Sequence, residues 1–294
     1  MMPATEPASP CDLRLLRWLV AGAFLLLSAC GGSLSHRSVA ETSGSLPIGP
    51  EVRRVRLEIG SGTLGIEVHE ARELAFAGGI RRAADTAADL TVLEGIAIGL
   101  TAALDPAAPD TLVVRGATVP TPGPNGVLSY ELGLHLPADL ALQVVVAGNG
   151  HVTVARRQGP LQVDTSRGDL RFEQCRGGIK AHTGRGVVIG FGLYGDVDIE
   201  TAVGDMQVFV EAPGELLRLR TGQGTIQCFV PPDAGFVCNA RTAMGRAGNS
   251  FGLPNEATTQ YGRAMTGQHG DGRSQIILMT GSGYIALQKL TSRG

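Results

Sequence analysis

A Thr-x-x-Gly unit recurs along this chain with a nearly fixed period, and no other feature restricts its fold as tightly. The unit stands at Thr165–Gly168, Thr183–Gly186, Thr201–Gly204, Thr221–Gly224, Thr242–Gly245 and Thr280–Gly283, with a variant at Ala147–Gly150. Successive glycines lie 18, 18, 18, 20, 21 and 38 residues apart. A second set, Gly159, Gly177 and Gly195, keeps the period of 18. An early copy, Ile59–Gly62, lies far upstream.

Side-chain parity is preserved from copy to copy. Two and four residues before the Thr stand pairs such as Val163/Leu161, Ile199/Val197 and Leu278/Ile276. Two and four after the Gly stand Leu170/Phe172, Met206/Val208 and Ile285/Leu287. The residues between are polar, among them Asp164, His182, Glu200 and Arg220. Alternation of this kind marks half-buried strands. Two short strands per period, with turns at fixed offsets, describe one coil of a solenoid. The expected fold is therefore all-β, a parallel β-solenoid of about 18-residue coils spanning 142–290. An antiparallel meander with the same alternation is the alternative.

Glycine accounts for 42 of 294 residues, about twice the ordinary share of ~7%. A turn stacked on the turn of the next coil leaves no room for a Cβ, which gives the excess a structural reason. Upstream of the repeats, the alanine-rich stretch 71–93 has apolar residues near helical spacing and predicts a short helix. Thr111–Arg115 and Val127–Leu136 read as strands, and 248–273 as a long loop.

The N-terminus reads as an address. Arg14 and Arg17 precede an apolar run from Trp18 to Leu27, which closes in Leu27-Ser28-Ala29-Cys30. The run is too short to span a bilayer as a helix and fits a signal-peptide core. The closing residues resemble a bacterial lipobox, which implies cleavage before Cys30 and lipid on that cysteine. Gly32, rather than Asp, at the second position after Cys30 implies the outer membrane. Residues 1–29 are then a signal peptide, 30–50 a flexible tether and 51–290 the domain. The expected membrane partner is reached through the lipid anchor.

The order of elements resembles a known family. A strand ending in Leu136-Pro137 is followed by the apolar strand Leu140–Val146, then the repeats, then a Gly-rich loop and a closing Thr280-Gly-Ser-Gly283 pair. This is similar to the adhesin-like domain family of bacterial envelope proteins, Gly-rich β-solenoids without assigned chemistry. The resemblance implies a cell-envelope interaction surface and supplies no catalytic residue. Related domains in envelope-stress proteins make a periplasmic scaffold the second reading.

Catalytic motifs are weak. Gly60-Ser-Gly62-Thr-Leu-Gly65 matches a dinucleotide fingerprint, but alternating Ile66-Glu-Val68 follows where a helix is required. Gly248-Asn-Ser250-Phe-Gly252 matches a nucleophile elbow, with His269 and Asp271 downstream, but Leu253-Pro254 blocks the helix. Stacking the coils aligns Asp164, His182, Glu200 and Arg220, and likewise Gln162, Lys180, Asp198 and Arg218. Signs alternate instead of gathering carboxylates, so a lyase-like carbohydrate enzyme is disfavoured. The six histidines lack paired ligand spacing, and no metal or cofactor is expected. A net charge of −2 without a basic, aromatic face argues against nucleic acid.

The expectation is a non-enzymatic interaction surface for a protein or glycan partner. Val187, Ile189 and Phe209 break the polar rule on the outward face and are its candidate contacts. Cys228 and Cys238, both on inward parity across one turn, form a candidate disulfide.

Overall fold

The computed structural model describes residues 34–120 and 123–291. The expected signal peptide, residues 1–29, and the expected lipidation site Cys30 lie outside them. The first strands are β1 (His36–Pro47), β2 (Arg54–Ile59), β3 (Gly62–Val68) and β4 (Glu73–Ala84). Helix α1 (Ala87–Glu94) follows, then β5 (Thr101–Asp105), β6 (Ala108–Arg115) and β7 (Gly126–Leu136). The repeats supply β8 (Ala141–Ala155), β9 (Leu161–Arg167), β10 (Leu170–Glu173), β11 (Ile179–Arg185), β12 (Val188–Val203), β13 (Met206–Gln223) and β14 (Ile226–Val230). The chain ends in β15 (Phe236–Asn249), β16 (Asn255–Ala257), β17 (Arg263–His269) and β18 (Ser274–Lys289). The fold is all-β with a large sheet that mixes parallel and antiparallel pairs.

The repeats pair in parallel at the period read from the sequence. Ile179 stands opposite Leu161 on one side and Val197 on the other, and Leu170 stands between Val152 and Val188. Two inward rows result. One runs Leu57, Val144, Val163, Ala181, Ile199, Leu219, Leu278, Ala240. The other runs Leu64, Val152, Leu170, Val188, Met206, Ile226, Ile285, Ala247. Every one of these side chains is buried. Each large aliphatic member is worth about 1.5–3 kcal/mol of hydrophobic stabilisation.

The two halves of the Thr-x-x-Gly unit have separate jobs. A Cβ on Gly168, Gly186, Gly204, Gly224, Gly283 or Gly245 would fall within 3.0 Å of the carbonyl oxygen of the preceding glycine in the same column. The threonines answer those carbonyls. Thr183 Oγ1 donates to Gly168 O at 3.1 Å, Thr221 to Gly204 at 3.1 Å, Thr280 to Gly224 at 3.0 Å and Thr242 to Gly283 at 3.1 Å. Glycine permits the close approach, and in these four units the threonine satisfies the approached carbonyl; Thr165 bonds Thr183 instead, and Thr201 Oγ1 is buried without a partner among the described residues.

Spatial order departs from chain order at both ends. β18 lies between β13/β14 and β15: Thr280 faces Thr221 on one side and Thr242 on the other. The early copy behaves likewise. β2 sits between β6 and β8, and β3 between β7 and β8, with Gly62 beside Gly150. Each terminal repeat is thus flanked by two strands from inside the chain.

Antiparallel strands then cover the outer ends, which corrects the expectation of a purely parallel stack. β4 pairs antiparallel with β7, and β1 with β4. β17 pairs antiparallel with β15, and β16 with β17. Three local readings change with this. Much of the expected tether is strand β1. Most of the alanine-rich stretch is strand β4, with Leu74, Phe76, Ile80 and Ala84 buried on one face, and the helix begins only at Thr86, whose side chain caps the Asp89 N–H at 3.0 Å. The expected loop at 248–273 holds β16 and β17. Among the described residues no helix is long and apolar enough to cross a membrane.

Candidate functional site

Two outward faces carry the side chains that could act. The first lies over β9, β11, β12 and β13. The register places Gln162, Lys180, Asp198 and Arg218 in one column and Asp164, His182, Glu200 and Arg220 in the next, as the sequence spacing predicts. Arg218 grips Asp198 with two hydrogen bonds, one of them from Nε at 2.8 Å. Arg220 contacts Glu200 at 2.6 Å. Hydrogen bonding to Arg218, chiefly, holds the Asp198 carboxyl below its ordinary value. Exposed pairs of this kind contribute about 0–1 kcal/mol each and leave neither carboxylate free as a base. A shallow groove of about 560 Å³ continues this face, with Arg241, Met279, Thr258 and Thr259 in its wall.

The second face lies over β10, β12, β13 and β14. Here Val187 is 40% exposed, and Ile189 and Phe209 are half-buried. All three expected contacts therefore reach the same outward surface. The structure adds two rings to them. Phe191, Phe209 and Phe229 form a ladder, with centroids 4.9 and 4.3 Å apart and planes inclined by 19° and 6°. The Arg171 guanidinium sits 5.3 Å from the Phe191 ring centre and is paired with Glu173. The faces of Phe209 are thus occupied by its neighbours, and what reaches solvent is ring edge. The signal was in the spacing: Phe209 and Phe229 are one repeat apart, and Phe191 sits one repeat before Phe209.

Acidic residues after the column glycines serve the backbone. Asp169 Oδ1 accepts from Val187 N–H at 2.8 Å and Asp205 Oδ1 from Thr225 N–H at 2.7 Å. Ser250, which the nucleophile-elbow motif would make reactive, is engaged similarly. Ser250 Oγ accepts from Lys289 N–H at 2.8 Å, His269 Nε2 lies 3.0 Å from Pro232 O, and Asp271 pairs with Arg273. Gly60–Gly65 forms the turn into β3, not a helix start. Among the described residues no three His, Cys, Asp or Glu side chains are grouped as a metal site.

Among the described residues the three cysteines, Cys175, Cys228 and Cys238, are free thiols and all are buried. The expected Cys228–Cys238 bond is not formed. β18 runs between the strands that carry them, so the short sequence separation does not make them strand neighbours. Burial pushes the Cys228 thiol far up and the Cys238 thiol up to about 12, so neither is a nucleophile at neutral pH. Arg157, fully buried, donates to the carbonyls of Pro137 and Leu140 and clamps the turn between β7 and β8. Burial lowers it to about 10, which still leaves it charged at neutral pH.

No family model matches the chain, and no curated protein does. Solved structures give loose likenesses. A candidate cell adhesion protein from Clostridium sporogenes is 11% identical with a TM-score of 0.35, covering 86% of this chain and 100% of that one. A candidate adhesin from Bacteroides fragilis is 10% identical with a TM-score of 0.34, covering 85% and 97%. A candidate lipid-binding protein from Parabacteroides distasonis is 11% identical with a TM-score of 0.31, covering 88% and 98%.

Proposed function

We propose that this chain is a lipid-anchored protein of the bacterial cell envelope whose β-solenoid domain presents a non-enzymatic interaction surface, in the manner of an adhesin. The observation that carries the reading is the outward face of β12 and β13, where Val187, Ile189 and the Phe191–Phe209–Phe229 ladder stand together on a rigid repeated backbone. A repetitive scaffold with long outward faces suits binding. The partner is a protein, not a glycan. Sugars stack on ring faces, and here both faces of Phe209 are spent on neighbouring rings and those of Phe191 on Phe209 and Arg171. The acidic and nucleophilic groups support the same reading, because they are committed to arginines and backbone amides.

Three experiments test it. A photo-crosslinking residue at Val187 or Ile189 should give discrete adducts in intact cells, and one at Gln143 on the other face should not. Adducts at neither site, or equally at all three, would contradict the surface. Replacement of Cys30 by Ser should release the protein from the membrane fraction; retention there would remove the lipid anchor. Protease shaving of whole cells separates a surface-facing adhesin from a periplasmic scaffold.

A further inference from the structure

The outer ends of the sheet are finished differently. At the C-terminal end the last strand is β16, three residues long and preceded by Leu253-Pro254. Short strands and proline are the usual means of blunting an edge. At the other end β5 is five residues long. β1 is twelve residues long and pairs with β4 without a register break from His36 to Pro47. Among the described residues β4 is its one strand partner in the register, and helix α1 packs beside it. No proline interrupts it before Pro47. Among the described residues no strand pairs with its opposite edge, which presents a row of backbone donors and acceptors.

The outward side chains of β1 are self-complementary. Arg37, Val39 and Glu41 alternate onto one exposed face, while Ser38, Ala40 and Thr42 on the other are half-buried. Val39 is 66% exposed, more than any other large apolar side chain among the described residues. Glu41 has no ion-pair partner among them, and Arg37 reaches only the Leu34 carbonyl, at 3.2 Å. An antiparallel pair related by a two-fold axis through Val39 sets Val39 against Val39. The same register sets Arg37 of each copy opposite Glu41 of the other. A shift by two residues along the strand loses both ion pairs, so the charges select one register.

We infer that β1 pairs antiparallel with β1 of a second copy of this chain, on a two-fold axis at Val39, and joins the two sheets across that edge. An isologous contact of this kind closes on itself and yields a dimer, not a filament.

Sedimentation velocity of the full chain in detergent tests the inference, with circular dichroism to confirm folding of each variant. The wild type should show a reversible dimer. Arg37→Glu and Glu41→Arg should each weaken it by about tenfold to thirtyfold, because each places like charges opposite one another twice. The double exchange R37E/E41R should restore it. Val39→Cys should form a covalent dimer on mild oxidation, whereas Ser43→Cys, which would face Ser35, should not. A monomeric wild type, failure of the double exchange to restore association, or equal cross-linking at positions 39 and 43 would each overturn the inference.

Discussion

The parallel centre and the antiparallel ends meet the same requirement, that every buried strand have partners on both sides, by opposite means. In the centre the partner is the next repeat, 18 to 20 residues along. Side chains therefore stack on their own kind, glycine on glycine and threonine on threonine. At the ends no further repeat exists. The chain instead slots its first and last repeats one place inward and covers what remains with antiparallel strands. The centre gains regularity but cannot tolerate a Cβ in the glycine column. The ends lose that regularity, although single tight glycines persist there: a Cβ on Gly78 in β4 would meet the Glu131 carbonyl oxygen.

The largest effect should expose that contrast directly. Gly204→Ala places a Cβ against the Gly186 carbonyl oxygen, whereas a Cβ on Gly99, near the N-terminal end, meets nothing within 4 Å. Denaturant unfolding should show a loss of about 3 kcal/mol or more for Gly204→Ala and within about 0.5 kcal/mol for Gly99→Ala. Equal losses would mean that the column is not tightly stacked. Next, Leu278 in the inserted strand is fully buried and Leu104 on β5 is 46% exposed. Leu278→Ala should cost about 2–5 kcal/mol and Leu104→Ala less than about 0.5 kcal/mol by thermal unfolding.

A smaller effect distinguishes threonines inside the centre. Thr221 Oγ1 donates to Gly204 O, but Thr201 Oγ1 is buried without a partner. Thr221→Val should cost about 1 kcal/mol, and Thr201→Val should be neutral or slightly stabilising. The smallest effect is electrostatic. Asp198 is held below its ordinary value by Arg218, so its contribution is present above the ordinary aspartate range. That contribution is lost as pH falls through the lowered folded value. Asp198→Asn should remove that portion of the acid-side slope, under about 1 kcal/mol, and leave stability at neutral pH nearly independent of pH. An unchanged acid slope would show that the pair is fully screened.

The centre was legible because its signal repeats. Parity at Leu161, Val163, Leu170 and Phe172 recurs often enough to fix strand, face and register together, and the charge columns follow from the same spacing. The surface was half legible. Val187, Ile189 and Phe209 stood out as breaks in polarity, but the ladder with Phe191 and Phe229 required the period to be applied to the outward residues too. The ends were not legible. Strand β4 alternates Leu74, Phe76, Ile80 and Ala84, but its small residues blur a period of two into a helical one. Interleaving leaves no local trace at all, since Arg54 pairs with Ala141 and Thr221 with Thr280. For the same reason Cys228 and Cys238, near in sequence, belong to strands kept apart by β18.

The interleaving of β18 is the central structural claim, and paired cysteines measure it. Met279 lies on an outward column between Arg220 and Arg241. Adjacent strands are about 4.8 Å apart and alternate ones about twice that, beyond disulfide reach. Under mild oxidation R220C/M279C and R241C/M279C should both cross-link, and R220C/R241C should not. Cross-linking of R220C/R241C, with M279C reacting with neither, would show that the repeats stack in chain order and would contradict the account.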